Sequence, residues 1–179
     1  MQVIYFILTS LILFFSSPNL SLGKDEALTD SISSPKHLVG QINKSSLLQL
    51  PHRAWFERNY TTYFPDLATI KKLKTTLNGI QVMAFMGTWC HDSQREVPRF
   101  YKVLESSDFD FANLELVSLN LEKKTSDGLE EGLNIQRTPT FIFFKNGVEI
   151  GRIVETPRDS LENDTLNIVT GEGYKHSYE

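Results

Sequence analysis

The chain has 179 residues and a mass of 20.5 kDa, with one cysteine and a formal charge of -4. That length holds one domain with a sizeable core plus an extension, and 40% hydrophobic with 22% charged residues excludes both a disordered chain and a polytopic membrane protein. A mildly acidic body with pI near 5.6 argues against nucleic acid as a partner, and one cysteine excludes an intrachain disulfide or a thiolate metal cluster within this chain.

The first 23 residues carry no charged side chain, so all 18 Lys and Arg and all 22 Asp and Glu fall in residues 24–179. Val3 to Phe15 is apolar except for Thr9 and Ser10, Ser16-Ser17-Pro18 breaks the run, and Ser21-Leu22-Gly23 places small residues before Lys24. This is the layout of a secretory signal peptide, too short for a bilayer span. The reading is a leader over 1–23 and an exported, periplasmic body, with membrane contact only where the leader stays uncleaved. Residues 24–46, rich in Ser, Lys, Asp and Asn, read as a flexible tether. Residues 47–65 hold Leu47, Leu48, Leu50, Trp55, Phe56, Tyr60, Tyr63 and Phe64 and read as an aromatic N-terminal extension packed on the domain that follows over 66–179.

Regular patterning begins at Pro65. Asp66 is placed to cap a helix with Leu67, Ile70, Leu73 and Leu77 on one face. Ile80 to Met86 is a nearly unbroken apolar run of strand length, as expected for a strand buried on both faces. Gly87-Thr88-Trp89-Cys90 follows, then a helix from His91 to Leu104, and a second buried strand over Leu114 to Leu119. A short helix is expected around Leu129 to Leu133, before Thr138-Pro139-Thr140. Phe141 to Phe144 and Val148 to Val154 flank Asn146-Gly147, a strong hairpin signal, and Ser160 to Val169 closes as an amphipathic helix. The order implies a mixed α/β sheet with helices on its faces, and the active end of such a sheet lies where a strand's carboxyl end meets the next helix. Cys90 stands at that junction.

Several backbone N–H groups at a helix start lack intrahelical partners, and the dipole's positive end points outward. Cysteines so placed fall from about 8.5 to roughly 3.5–7.5 in pKa, which makes them nucleophiles at neutral pH. Protonated His91 would favour a thiolate and Asp92 would oppose it, and Ser93, one turn on, is placed to present its hydroxyl to the sulfur. His37, His52 and His176 are scattered without metal-ligand spacing and read as surface or tail histidines, so no metal site is expected.

The stretch Trp89-Cys90-His91-Asp92-Ser93 resembles the Trp-Cys-x-x-Cys active site of the thioredoxin-like family, with the last cysteine replaced by serine. Pro98 stands where the family carries a kinking proline, Thr138-Pro139-Thr140 is similar to its cis-proline loop, and Phe143-Phe144-Lys145-Asn146-Gly147 to the hairpin after it. The resemblance covers roughly residues 66–170. It implies a thioredoxin-like mixed sheet flanked by helices, here with an N-terminal helical extension. It also implies thiol–disulfide exchange with Cys90 and Ser93 as the catalytic pair, Trp89, Thr138 and Pro139 binding substrate, and His91 and Asp92 modulating the thiol. With Ser93 in place of the resolving cysteine, and Ala84 where many members have a buried acid, one attack remains open to the chain. A mixed disulfide would form and an external thiol would resolve it. No cofactor is expected; glutathione suits the role of resolving thiol. The expected partners are disulfide-containing proteins or low-molecular-weight disulfides and an external reductant. The competing expectations are a redox-inactive binding or chaperone-like module on the same fold, and a scaffold for an iron–sulfur centre shared between two chains with glutathione.

Overall fold

The computed structural model describes residues 36–179. The expected leader and most of the expected tether lie outside the described residues. The described chain runs through β1 (Gly40–Ile42), α1 (Lys44–Leu47), α2 (Arg53–Thr61), α3 (Leu67–Thr76), β2 (Ile80–Met86) and α4 (His91–Ser106). After a 3-10 turn over Phe111–Asn113 come β3 (Leu114–Ser118), β4 (Thr140–Lys145), β5 (Val148–Val154) and α5 (Leu161–Thr170). The five strands form one mixed sheet in the order β1-β3-β2-β4-β5. β2 and β3 are parallel, with Ala84 beside Leu116, and every other pairing is antiparallel.

Alternation along β2 sorts the core onto two faces. Ile80, Val82, Ala84 and Met86 point to the large cluster, where Leu47, Phe56, Ile70, Leu73, Val97, Phe100, Leu161 and Ile168 bring in all five helices. Phe100 of α4 stacks on Phe141 of β4 at 4.2 Å between ring centroids and meets Phe143 edge-on at 6.0 Å. On the other face Phe85, Val117, Leu119 and Ile142 pack with Met83 and Phe144, and with Leu129, Leu133 and Ile135 from the segment between β3 and β4.

That segment departs from expectation. The helix foreseen around Leu129 to Leu133 is a series of turns. Gly128, Gly132 and Asn134 all sit at positive φ (67°, 76° and 53°), and this repeated left-handed backbone interrupts any helical run. The segment is held instead by polar bonds. Thr125 donates through its N–H and hydroxyl to Glu130 Oε2, and Arg152 of β5 donates to the Leu133 carbonyl at 2.8 Å while gripping Glu149 with two nitrogens.

The tether expected up to residue 46 also ends earlier. Residues 40–42 pair with β3 as an edge strand, with Gly40 opposite Ser118. Asn43 then caps α1, accepting from the Ser46 N–H. Short polar stretches gain order here from a neighbouring strand rather than from their own composition. The aromatic extension packs on α4: Phe56 meets Tyr101 edge-on at 5.8 Å, while Phe64 is 84% exposed. His52, expected at the surface, is buried and lies edge-on to Trp55 at 6.0 Å. Its neighbours in the extension fold over it, which isolated residue type does not reveal.

Candidate functional site

Cys90 is the N-cap residue of α4, with φ -88° and ψ 124°, and is partly exposed. It stands at the carboxyl end of β2, beside the segment that enters β4. The Thr138–Pro139 peptide is cis, and the Cys90 thiol donates to the Thr138 carbonyl across 3.1 Å. Two residues 48 positions apart in the chain are thus closed onto one contact. Thr138 and Pro139 are both buried. Their loop is pinned on each side: the Thr140 hydroxyl donates to the Arg137 carbonyl at 2.8 Å, and the Glu155 N–H donates to the Pro139 carbonyl at 2.7 Å.

Every member of the Gly87–Cys90 loop has a defined anchor. The Gly87 N–H donates to Ser93 Oγ at 3.2 Å, and the Cys90 N–H donates back to the Gly87 carbonyl at 2.9 Å. The Trp89 indole N–H donates to the Leu119 carbonyl at 2.9 Å, which lays the ring across Gly87. A Cβ on Gly87 would come within 2.5 Å of that ring, so only glycine leaves room for it. The Thr88 carbonyl accepts from Gln94 Nε2 at 2.8 Å, and its hydroxyl accepts the Leu38 N–H at 3.0 Å. The Leu38 carbonyl in turn accepts from Ser118 Oγ at 2.7 Å. The segment leading into β1 therefore clamps the cysteine loop to the end of β3.

The structure brings Trp89, Cys90, Thr138 and Pro139 to one end of the sheet. Ser93 is fully buried, and its hydroxyl is spent on the Gly87 N–H rather than on the sulfur, where the sequence reading placed it. His91 is exposed. Asp92 is held by Arg95 at 2.7 Å, so its charge is compensated one turn along the helix. Ala84 is buried in the large core cluster, and the buried acid of this region is Glu96, bound by Arg95 and Arg99.

Residues outside the sequence reading complete the frame. Pro98 lies inside α4 and has no N–H to give the carbonyl four residues back, at Gln94. Asn59 of α2 fills that position, its Nδ2 donating to the Gln94 carbonyl at 3.0 Å. An orphaned carbonyl was foreseeable from Pro98 alone; the donor, 35 residues away, was not. The Leu38–Thr88 bond, spanning 50 residues, left no local trace either.

A family model described as thioredoxin matches residues 68–166, more than half of the chain. The chain belongs to the thioredoxin family. Among curated relatives of this thioredoxin-family protein, Thioredoxin-like protein R548 of Acanthamoeba polyphaga mimivirus is 27% identical over 105 residues, which are 56% of this chain and 74% of that protein. Thioredoxin H9 of Arabidopsis thaliana is 28% identical over 90 residues, 50% of this chain and 60% of that one. A protein of unknown function from Pseudomonas aeruginosa shares the fold with a TM-score of 0.54 at 16% identity, covering 69% of this chain and 87% of its own. Fold and relatives together point to thiol–disulfide oxidoreductase chemistry. The anchors supplied by Leu38 and Asn59 lie before the matched region.

Proposed function

We propose that this protein is a monothiol thiol–disulfide oxidoreductase in which Cys90 is the sole nucleophile. The observation that carries the reading is the partly exposed Cys90 thiol at the start of α4, 3.1 Å from the carbonyl of the cis Thr138–Pro139 peptide. The helix start favours negative charge on sulfur through its unpaired N–H groups and dipole. Asp92, the nearest opposing charge in sequence, is neutralised by Arg95.

In the first step the Cys90 thiolate attacks one sulfur of a disulfide. A new S–S bond joins Cys90 to the substrate, and the departing thiolate takes the electron pair and a proton from solvent. The sequence holds one cysteine, so a second thiol must come from outside, and glutathione is the class we assign. Its thiolate attacks the substrate sulfur, which expels the Cys90 thiolate and returns the reduced protein, or attacks Cys90 Sγ, which expels the substrate thiolate and leaves a Cys90–glutathione disulfide for a second glutathione to discharge. Ser93 serves this cycle as a positioning residue, holding Gly87 beneath Trp89 and so the approach to Cys90. Thr138 and Pro139 form the wall against which substrate lies, and Trp89 flanks the opening. His91, the residue after Cys90, is exposed at the start of α4. The apolar leader supports export to the periplasm as the place of action.

The test is alkylation of Cys90 by iodoacetamide at pH near 6, compared with free cysteine, followed by incubation with oxidised glutathione. Faster alkylation and a mixed disulfide that reduced glutathione discharges are expected, and Cys90→Ser abolishes both. A rate no faster than free cysteine, with no mixed disulfide, would leave a redox-inactive binding module as the better reading.

A further inference from the structure

Beside the cis-proline loop, away from Cys90, lies a cavity of about 450 Å³ walled by Arg137, Thr140, Arg152, Tyr174, His176 and Tyr178, among others. A third of that wall belongs to the segment after α5. The segment is anchored at its start, where the Tyr174 hydroxyl donates to Asp164 at 3.0 Å and Arg158 donates to the Lys175 carbonyl at 3.2 Å. Its far end is held differently. The Arg137 guanidinium lies over the Tyr178 ring, 3.9 Å from the centroid, and the Tyr178 hydroxyl donates to the Glu155 carboxylate. Arg137 itself pairs with Glu155 at 3.2 Å.

Arg137 and Glu155 therefore form a two-part receptor. The cation presents its face to an aromatic ring, and the carboxylate accepts a phenolic O–H at the ring's tip. Both residues are fastened to the loop that meets Cys90. Arg137 precedes Thr138, whose carbonyl accepts the hydrogen bond from the Cys90 thiol, and the Glu155 N–H donates to the Pro139 carbonyl. Tyr178 remains 48% exposed in this seat, and contacts of this exposed kind are weak and exchangeable. Arg137 adjoins Thr138, the residue that contacts Cys90, so a polypeptide bound at Cys90 runs close to the Arg137 backbone.

Building on the single-thiol reading, we infer that the Arg137–Glu155 pair is a recognition subsite for a tyrosine side chain of the substrate polypeptide, and that Tyr178 is the chain's own occupant of it. Substrate tyrosine and Tyr178 compete, so the segment after α5 tunes preference without covering the thiol.

The test uses short cysteine peptides activated as 2-pyridyl mixed disulfides, with tyrosine or leucine two, three or four residues from the cysteine on either side. Cys90 attacks the peptide sulfur, a protein–peptide disulfide forms, and pyridine-2-thiolate leaves with the electron pair and is read by its absorbance. Free glutathione attacking the same peptides sets the baseline. In full-length Tyr178→Ala the tyrosine peptide is expected to react about five- to tenfold faster than the leucine peptide at one or more positions. The preference is smaller in the unaltered chain and is lost in Tyr178→Ala with Arg137→Gln. Equal rates for both peptides at every position in Tyr178→Ala would overturn the subsite. The measure is a ratio on one thiol, so a sluggish Cys90 cancels out. Failure of the oxidoreductase reading shows separately, as absence of attack on oxidised glutathione.

Discussion

The two faces of the sheet are built by different means. One is covered by helices whose apolar residues recur at helical spacing, and its cluster centres on Phe100 against Phe141 and Phe143. The other is covered by a turn-rich segment that contributes three partly buried side chains and depends on Thr125, Glu130 and Arg152 to hold its backbone. Apolar burial scales with area and needs no particular partner, whereas a hydrogen-bonded cover depends on each donor finding its one acceptor. The difference teaches where stability resides and where adaptation to a substrate is cheap: the cis-proline loop is the direct continuation of the turn-rich cover.

The sharpest way to break this contrast is a pair of truncations. Phe100→Ala removes a fully buried ring from the helix-covered face and is expected to cost about 3–5 kcal/mol in urea unfolding. Leu133→Ala, on a half-buried residue of the other face, is expected to cost about 1 kcal/mol. Comparable losses from the two would show that both faces carry the fold equally.

Asn59→Ala probes the link between the extension and the Pro98 turn of α4. It leaves the Gln94 carbonyl without its donor, and a loss of about 1–2 kcal/mol is expected by the same measurement. Thr88→Val unfastens Leu38 from the cysteine loop at a cost of about 1 kcal/mol. Its more telling readout is the Cys90 alkylation rate: a change there shows that the β1 segment positions the thiol, while an unchanged rate assigns the clamp to stability alone. Removing the cap of α5 with Ser160→Ala is expected to cost about 1 kcal/mol and to leave the thiol's reactivity as it was.

The smallest effect lies at alkaline pH on the helix-covered face. Burial, and then the hydrogen bond to the Glu105 carboxylate, push the Tyr60 phenol up to about 12. The folded chain thus holds this proton more tightly than the unfolded chain, whose phenols titrate near 10. Its contribution is complete below about pH 10 and is lost as pH rises through about 12. Alkaline unfolding should therefore begin at lower pH in Glu105→Gln than in the unaltered chain, and coincident transitions would remove Glu105 from the explanation.

Much of the fold was legible before the structure was known. Periodicity located α3, α4 and α5, an apolar run marked β2, and Asn146-Gly147 marked the β4–β5 hairpin, with both residues at positive φ. Each is a local signal, carried by neighbours within a turn or a strand. The segment around Leu129 misled because two leucines four apart suggest a helix, while Gly128, Gly132 and Asn134 hold the backbone left-handed. Residues 40–42 misled for the opposite reason: polar and short, they become a strand only because the edge of β3 offers unpaired groups.

The candidate site divides along the same line. Sequence by itself singled out Cys90 as the candidate nucleophile, because a lone cysteine at a strand–helix junction after Trp89 has few other readings, and it supplied no second thiol to follow. Tertiary structure alone decided that Cys90 meets the Thr138 carbonyl, that Ser93 turns to Gly87, and that Leu38, Asn59 and Arg137 frame the site. The physical reason is reach. Capping and periodicity act over a few residues and leave their pattern in the sequence, whereas a hydrogen bond across 35 to 50 residues needs only one donor and one acceptor brought together by the packing of everything between them.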